Sequence, residues 1–175
     1  MIRISSILFF LGFLQSQNYP DFEVLHFENP HSSSLFLHTM SEEDRFMAII
    51  DSGLDVQWHV RSNHMGLDFK VNQNYLTYYN KIEGSWILAN QMMNEVDTLM
   101  CEGSYVADYH DIQILENGNY LLQAYDSSFV DMSTIIDGGQ SVAWITGILV
   151  IQIFDINHEL ISEWNAWDHL DISQY

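Results

Sequence analysis

From residue 34 onward, apolar and polar positions alternate in short runs broken by Gly, Asn and Asp, with little 3.6-residue periodicity. The alternation predicts strands at 34–39, 46–50, 54–60, 67–71, 75–79, 85–90 and 94–100. Four more are expected at 110–115, 119–125, 148–154 and 158–164. Only Pro20 and Pro30 occur, both ahead of this region, as paired strands require. Asn117-Gly118 is hairpin-turn chemistry. Asp155-Ile156-Asn157-His158-Glu159 carries oxygen side chains like the opening of a calcium loop. It lacks the later glycine and glutamate of an EF-hand, and reads better as a hairpin turn.

A repeat organises these strands. Leu67-Asp68-Phe69-Lys70-Val71 with Asn74-Tyr75-Leu76 matches His110-Asp111-Ile112-Gln113-Ile114 with Asn119-Tyr120-Leu121. Two further strands follow each copy, in 85–100 and 148–164, and 127–143 reads as an insertion. The period falls within the roughly 40–50 residues of a four-stranded propeller blade. A weaker third copy is Trp167-Asp168-His169-Leu170-Asp171-Ile172. The expected fold is therefore all-β, a partial β-propeller of about two full blades plus parts of two others. On this reading 171–175 opens a new inner strand, and the chain is a fragment or needs a partner. Leu67, His110 and Leu170 stand at the start of each blade's first strand, facing the central channel.

Composition narrows the partners. The 175 residues are 47% hydrophobic and 14% aromatic, enough for one domain with a substantial core. Five basic residues face 24 acidic ones, for a formal charge of −19. Such a surface repels a nucleic-acid duplex or an anionic bilayer, and favours solubility. No Lys or Arg follows Lys81. An anion bound in the second half must use histidine, main-chain amides or hydroxyls, or a cation from elsewhere.

Met1-Ile2-Arg3, the apolar run 4–14 and Gln15-Ser16-Gln17 read as a secretory signal, too short to span a bilayer. The expected organisation is signal peptide 1–17, lead-in 18–33 and propeller part 34–175, in an exported protein. A buried N-terminal strand is the other reading of the apolar run. Cys101 stands alone, so no internal disulfide is expected.

His110 beside Asp111 is the first candidate site. Imidazole at a channel mouth can bind an oxyanion, transfer a proton or act as a nucleophile, and a nearby carboxylate can fix its tautomer. The same histidine can equally cap a strand. His169, between Asp168 and Asp171, follows Trp164 and Trp167, which can wall an aromatic ligand or simply pack. No zinc spacing, phosphate loop or nucleotide fingerprint is apparent, so neither metal nor cofactor is expected.

The order of motifs in 109–172 resembles bacterial arylsulfotransferases. The resemblance rests on Tyr109 to Asp126, Val130-Asp131-Met132-Ser133, Gly138-Gly139, Gly147 to Gln152 and Trp164 to Ile172. It implies an exported propeller that moves a sulfuryl group from a phenolic sulfate ester to a phenol through a transiently sulfated histidine. It implies His110 and His169 as sulfuryl-group ligands or acid–base residues, with Asp111, Trp167 and Asp168 beside the substrate. The motifs expected to hold the nucleophile and an arginine have no counterpart here, so the chain alone is expected to be inactive. The other reading is a non-catalytic secreted propeller module that binds a glycan or a protein.

Overall fold

A computed structural model describes residues 19–39, 45–63 and 65–174. The expected signal segment 1–17 lies outside the described residues. The chain is all-β, with eleven strands in three antiparallel sheets among the described residues. The first sheet is β1 (Leu35–His38), β2 (Phe46–Ile50) and β3 (Val56–Arg61), in that order. The second holds β4 (Met65–Asn72), β5 (Tyr75–Asn80), β6 (Ser85–Ala89) and β7 (Glu95–Leu99). The third holds β8 (Ala107–Ile114), β9 (Tyr120–Val130), β10 (Ala143–Phe154) and β11 (Leu160–Asn165). Both four-stranded sheets are meanders in chain order, so each copy of the repeat has folded into a sheet of its own.

Burial follows from the patterning. In β10, Ile148, Val150, Gln152 and Phe154 are buried while the residues between them are not. That is the period of a strand whose two faces differ. In β6 all five residues are buried, because the second sheet is covered on both faces. Tyr78, Ile87 and Ala89 face the first sheet, where they meet Met47, Phe36, Ile49 and Trp58. Tyr79, Trp86, Leu88 and Leu99 face the third, packed with Ile112, Tyr120, Leu122 and Phe154. Trp86 is fully buried; truncating such a side chain to alanine costs about 3–5 kcal/mol. The described part of the expected lead-in, from Tyr19, holds no strand, and Tyr19 stacks edge-on against Phe46 of the first sheet at 5.6 Å.

The first strands lie side by side, with β4 between β1 and β8. Asn72 bridges β4 to β8, donating to the Ile112 carbonyl at 2.8 Å and accepting from the Ile114 amide at 3.4 Å. Buried Gln152 holds the β7–β8 connection through the Glu102 amide (2.8 Å) and carbonyl (3.3 Å). Four turns repeat one geometry. The amides of Asp51, Asn90, Leu115 and Asp155 bond the carbonyl four residues on, and the fourth residue of each turn has positive φ: Leu54, Met93, Gly118 and His158. The Asp155 segment is thus a hairpin turn, as expected.

Three expectations are corrected. The strands expected at 119–125 and 148–154 are longer: β9 continues to Val130 and β10 begins at Ala143, so the stretch 127–143 adds strand ends and a connection at 131–142 to this hairpin. A register shift between Thr146 and Ile148, with Gly147 at φ 77°, breaks the alternation there and disguises it. The strand expected at 110–115 begins earlier, at Ala107. The inner strand expected at 171–175 is instead a 3₁₀ turn, Ile172–Gln174. Asp171 Oδ1 accepts from both the amide and the hydroxyl of Ser173 (2.9 and 2.7 Å), local bonds that compete with a strand.

Candidate functional site

Two bulges shape the first strands of the second and third sheets. Along β8 the pairing jumps from Ala107↔Ala124 to Ile112↔Leu122, so residues 108–111 stand opposite Gln123 alone and are thrown out of the ladder. β4 is irregular at the matching place: its register slips between Leu67 and Lys70, with Asp68 at φ 50°. The repeated Asp therefore marks a bulge in both first strands. The second sheet holds the β8 bulge from below. Tyr79 donates its hydroxyl to the Ala107 carbonyl at 2.6 Å, and Trp86 Nε1 donates to the Asp108 carbonyl at 3.0 Å.

His110 sits on this bulge with 62% of its side chain exposed, and its partner is Asp108, not Asp111. Nδ1 lies 2.6 Å from Asp108 Oδ1, which also accepts from the His110 amide (3.0 Å) and Gln123 Nε2 (2.9 Å). The ring stacks on Tyr109 at 4.1 Å. Burial of Asp108 opposes its ionisation, but the bonds from His110 and Gln123 outweigh it and hold the carboxyl below its usual range. A carboxylate on Nδ1 places the proton there in the neutral ring and leaves the Nε2 lone pair for chemistry. Among the described residues Nε2 has no protein partner.

Asp111 belongs to a different group. Lys70 Nζ lies 2.5 Å from Asp111 Oδ1 and 2.6 Å from Asp68 Oδ2, so one ammonium ties the two repeated aspartates together. Burial raises Asp111, yet Lys70 pulls its carboxyl below the usual range. Burial likewise lowers Lys70, and the two carboxylates more than offset this and raise it.

His169, Trp167 and Asp168 lie elsewhere. They fall in α1 (Ala166–His169), one helical turn capped by Asn165, whose side chain accepts from the Trp167 amide. His169 stacks flat on Trp164 at 5.3 Å. Trp167 walls a cleft of about 320 Å³ with Ile145, Ile148, Leu149, Leu170 and Ile172. Asp168 is exposed in the first turn. α1 follows β11, at the opposite edge of the sheet from β8. Three strand spacings separate those edges, about 14 Å. The structure does not bring His110 and His169 together.

Asp108, Gln123, Tyr109 and Lys70 are the site residues that sequence reasoning missed. Asp108 was detectable: an Asp side chain readily accepts from the amide two residues on, as Asp108 does from His110, which brings it to the ring. Lys70 left no local signal. Among the described residues no three His, Cys, Asp or Glu side chains are placed to hold a metal ion. No helix there is long and apolar enough to cross a membrane. Comparison with protein-family models, curated protein sequences and solved structures yields no match.

Proposed function

We propose that this chain is part of an exported β-propeller of the arylsulfotransferase type, in which His110 serves sulfuryl transfer between phenols. The observation that carries this reading is the His110–Asp108 pair, raised on the bulge of β8 with the ring exposed. Two successive four-stranded meanders with adjacent first strands support the blade assignment. With Nδ1 held by Asp108, neutral Nε2 can accept the proton of an attacking phenol. The imidazolium can donate to a sulfuryl oxygen or to the leaving phenolate as the ester O–S bond breaks. Asp108 stabilises that imidazolium. The site's other cation is spoken for, because Lys70 already serves two carboxylates, so the chain supplies the histidine side of the site. The formal charge of −19 argues against nucleic acid or an anionic bilayer as partner.

The test is a titration with 4-nitrophenyl sulfate, following the His110 ring signals by NMR. A saturable shift of His110, larger than 4-nitrophenol produces, is expected, and His110→Gln should weaken the ester's binding as read from the Tyr109 signals. A His110 signal that ignores the sulfate ester would overturn the proposal.

One observation favours a second reading, a non-catalytic module that binds a glycan or a protein. The Trp167 cleft is apolar, and no titratable side chain lines it. Quenching of tryptophan emission by a neutral sugar, abolished in Trp167→Ala, would support that reading.

A further inference from the structure

The turn end of the second and third sheets, away from His110, holds an inter-sheet cavity of about 230 Å³. Leu88, Leu99 and Ile114 form an apolar, buried floor. Three rings line it: Tyr75, Tyr120 and His158. Tyr120 stacks on Phe154 at 5.0 Å, and His158 stands edge-on to Tyr120 at 5.9 Å. The lining carboxylate is Asp97. Its Oδ2 lies 3.1 Å from His158 Nε2 and its Oδ1 accepts from the Thr98 amide at 2.8 Å, while 38% of the side chain remains exposed.

A related cavity between the first and second sheets shows what is unusual here. Met93 lines it, and Tyr78 donates its hydroxyl to Glu95 at 2.7 Å. At the equivalent turn position the third sheet carries His158 in place of Met93. The Tyr120 hydroxyl has no protein partner among the described residues. Burial, then the charges of Asp97 and Asp155, push this phenol up to about 12, so it stays a neutral donor and acceptor.

We propose that this cavity binds a small organic ammonium with an apolar body. The ammonium sits between the Asp97 carboxylate and the Tyr120 hydroxyl, and its apolar body lies on Leu88, Leu99 and Ile114. No lysine or arginine lines the cavity, and the surrounding charge of −19 enriches cations over anions. The volume is below the roughly 300 Å³ at which drug-sized sites begin, so the ligand is small. This site is independent of the sulfuryl-transfer reading and lies at the other end of the sheets.

Isothermal titration and NMR with 2-phenylethylammonium chloride test it, against 3-phenylpropionate and 2-phenylethanol as anionic and neutral mimics. One saturable site is expected for the ammonium alone, with shifts at Tyr120 and His158. Asp97→Asn should weaken it at least about tenfold, which is about 1.4 kcal/mol. Tyr120→Phe, which keeps the ring, should weaken it several-fold, and His110→Gln should leave it unchanged. Circular dichroism confirms that each variant is folded. Equal binding of the carboxylate, no saturation at millimolar ammonium, or full affinity in a folded Asp97→Asn overturns the proposal.

Discussion

Lys70 on β4 and Asp111 on β8 meet across two sheets, Nζ to Oδ1 at 2.5 Å, and the same ammonium holds Asp68. The pair joins equivalent bulges of the two repeats through residues 41 apart in the chain. Lys70→Met should cost about 1 kcal/mol at neutral pH, the upper range for partly exposed pairs. Asp111 is held below its usual value, so its contribution is present above the unfolded carboxylate value and lost as pH falls through the folded one. Lys70 is raised, so its contribution is lost only as pH rises through its folded value. Urea unfolding of both proteins should show a gap that is constant near neutrality and closes below about pH 4. A gap that persists in acid would mean the loss is one of packing.

Tyr79 offers a sharper measure of how the second sheet supports the site. Its hydroxyl is buried and donates to the Ala107 carbonyl at the base of the β8 bulge. Tyr79→Phe keeps the ring against Trp86 and removes only that bond, for an expected loss of about 1–2 kcal/mol. Amide exchange at the start of β8 should rise in the variant. An unchanged exchange rate there would show that Trp86 alone holds the bulge.

Much of this architecture was legible because the repeat is local. Asp68 and Asp111 align in the sequence, and each marks the bulged first strand of a four-stranded meander. The long hairpin was hidden, since Gly147 shifts the alternation on which strand reading depends. The candidate site was half legible. His110 is exposed on the bulge of β8, but adjacency in sequence suggested Asp111 where the local turn bond to the His110 amide selects Asp108. The Lys70 bridge and the Tyr79 strut arise from packing between sheets, which no local pattern records. His169 shares the repeat motif with His110, yet a helical turn places it at the far edge of the sheet.

Cys101 should be chemically quiet in the folded protein. Burial against the inter-sheet core, then the charge of Glu163, push its thiol up to about 12. At about pH 8 almost none is thiolate, the reactive form, whereas an ordinary thiol is substantially ionised. Labelling with a disulfide reagent should be at least about a hundredfold slower than in urea. The raised value also means that this contribution to stability is complete below the unfolded thiol value and is lost as pH rises through the folded one. Fast native labelling would show that the packing around Cys101 opens readily.

Asp108 decides what His110 can do, and two substitutions separate its roles. Asp108→Ala removes the acceptor of three hydrogen bonds from His110 and Gln123 and should cost about 1–3 kcal/mol at neutral pH. Because the Asp108 carboxyl is held below its usual value, that difference should shrink as pH falls through the folded value. Asp108→Asn keeps an oxygen for the His110 amide and for Gln123, and should fold with a smaller loss. That oxygen accepts all three bonds in the native protein, so in Asp108→Asn it still takes the Nδ1 proton, but without the carboxylate charge that stabilises the imidazolium. Nitrogen NMR of the imidazole should show the Nδ1–H tautomer in the native protein and in Asp108→Asn, and a shift toward Nε2–H in Asp108→Ala, where Nδ1 has lost its acceptor. A native ring already protonated on Nε2 would remove His110 as a proton acceptor and, with it, the acid–base role argued for this site.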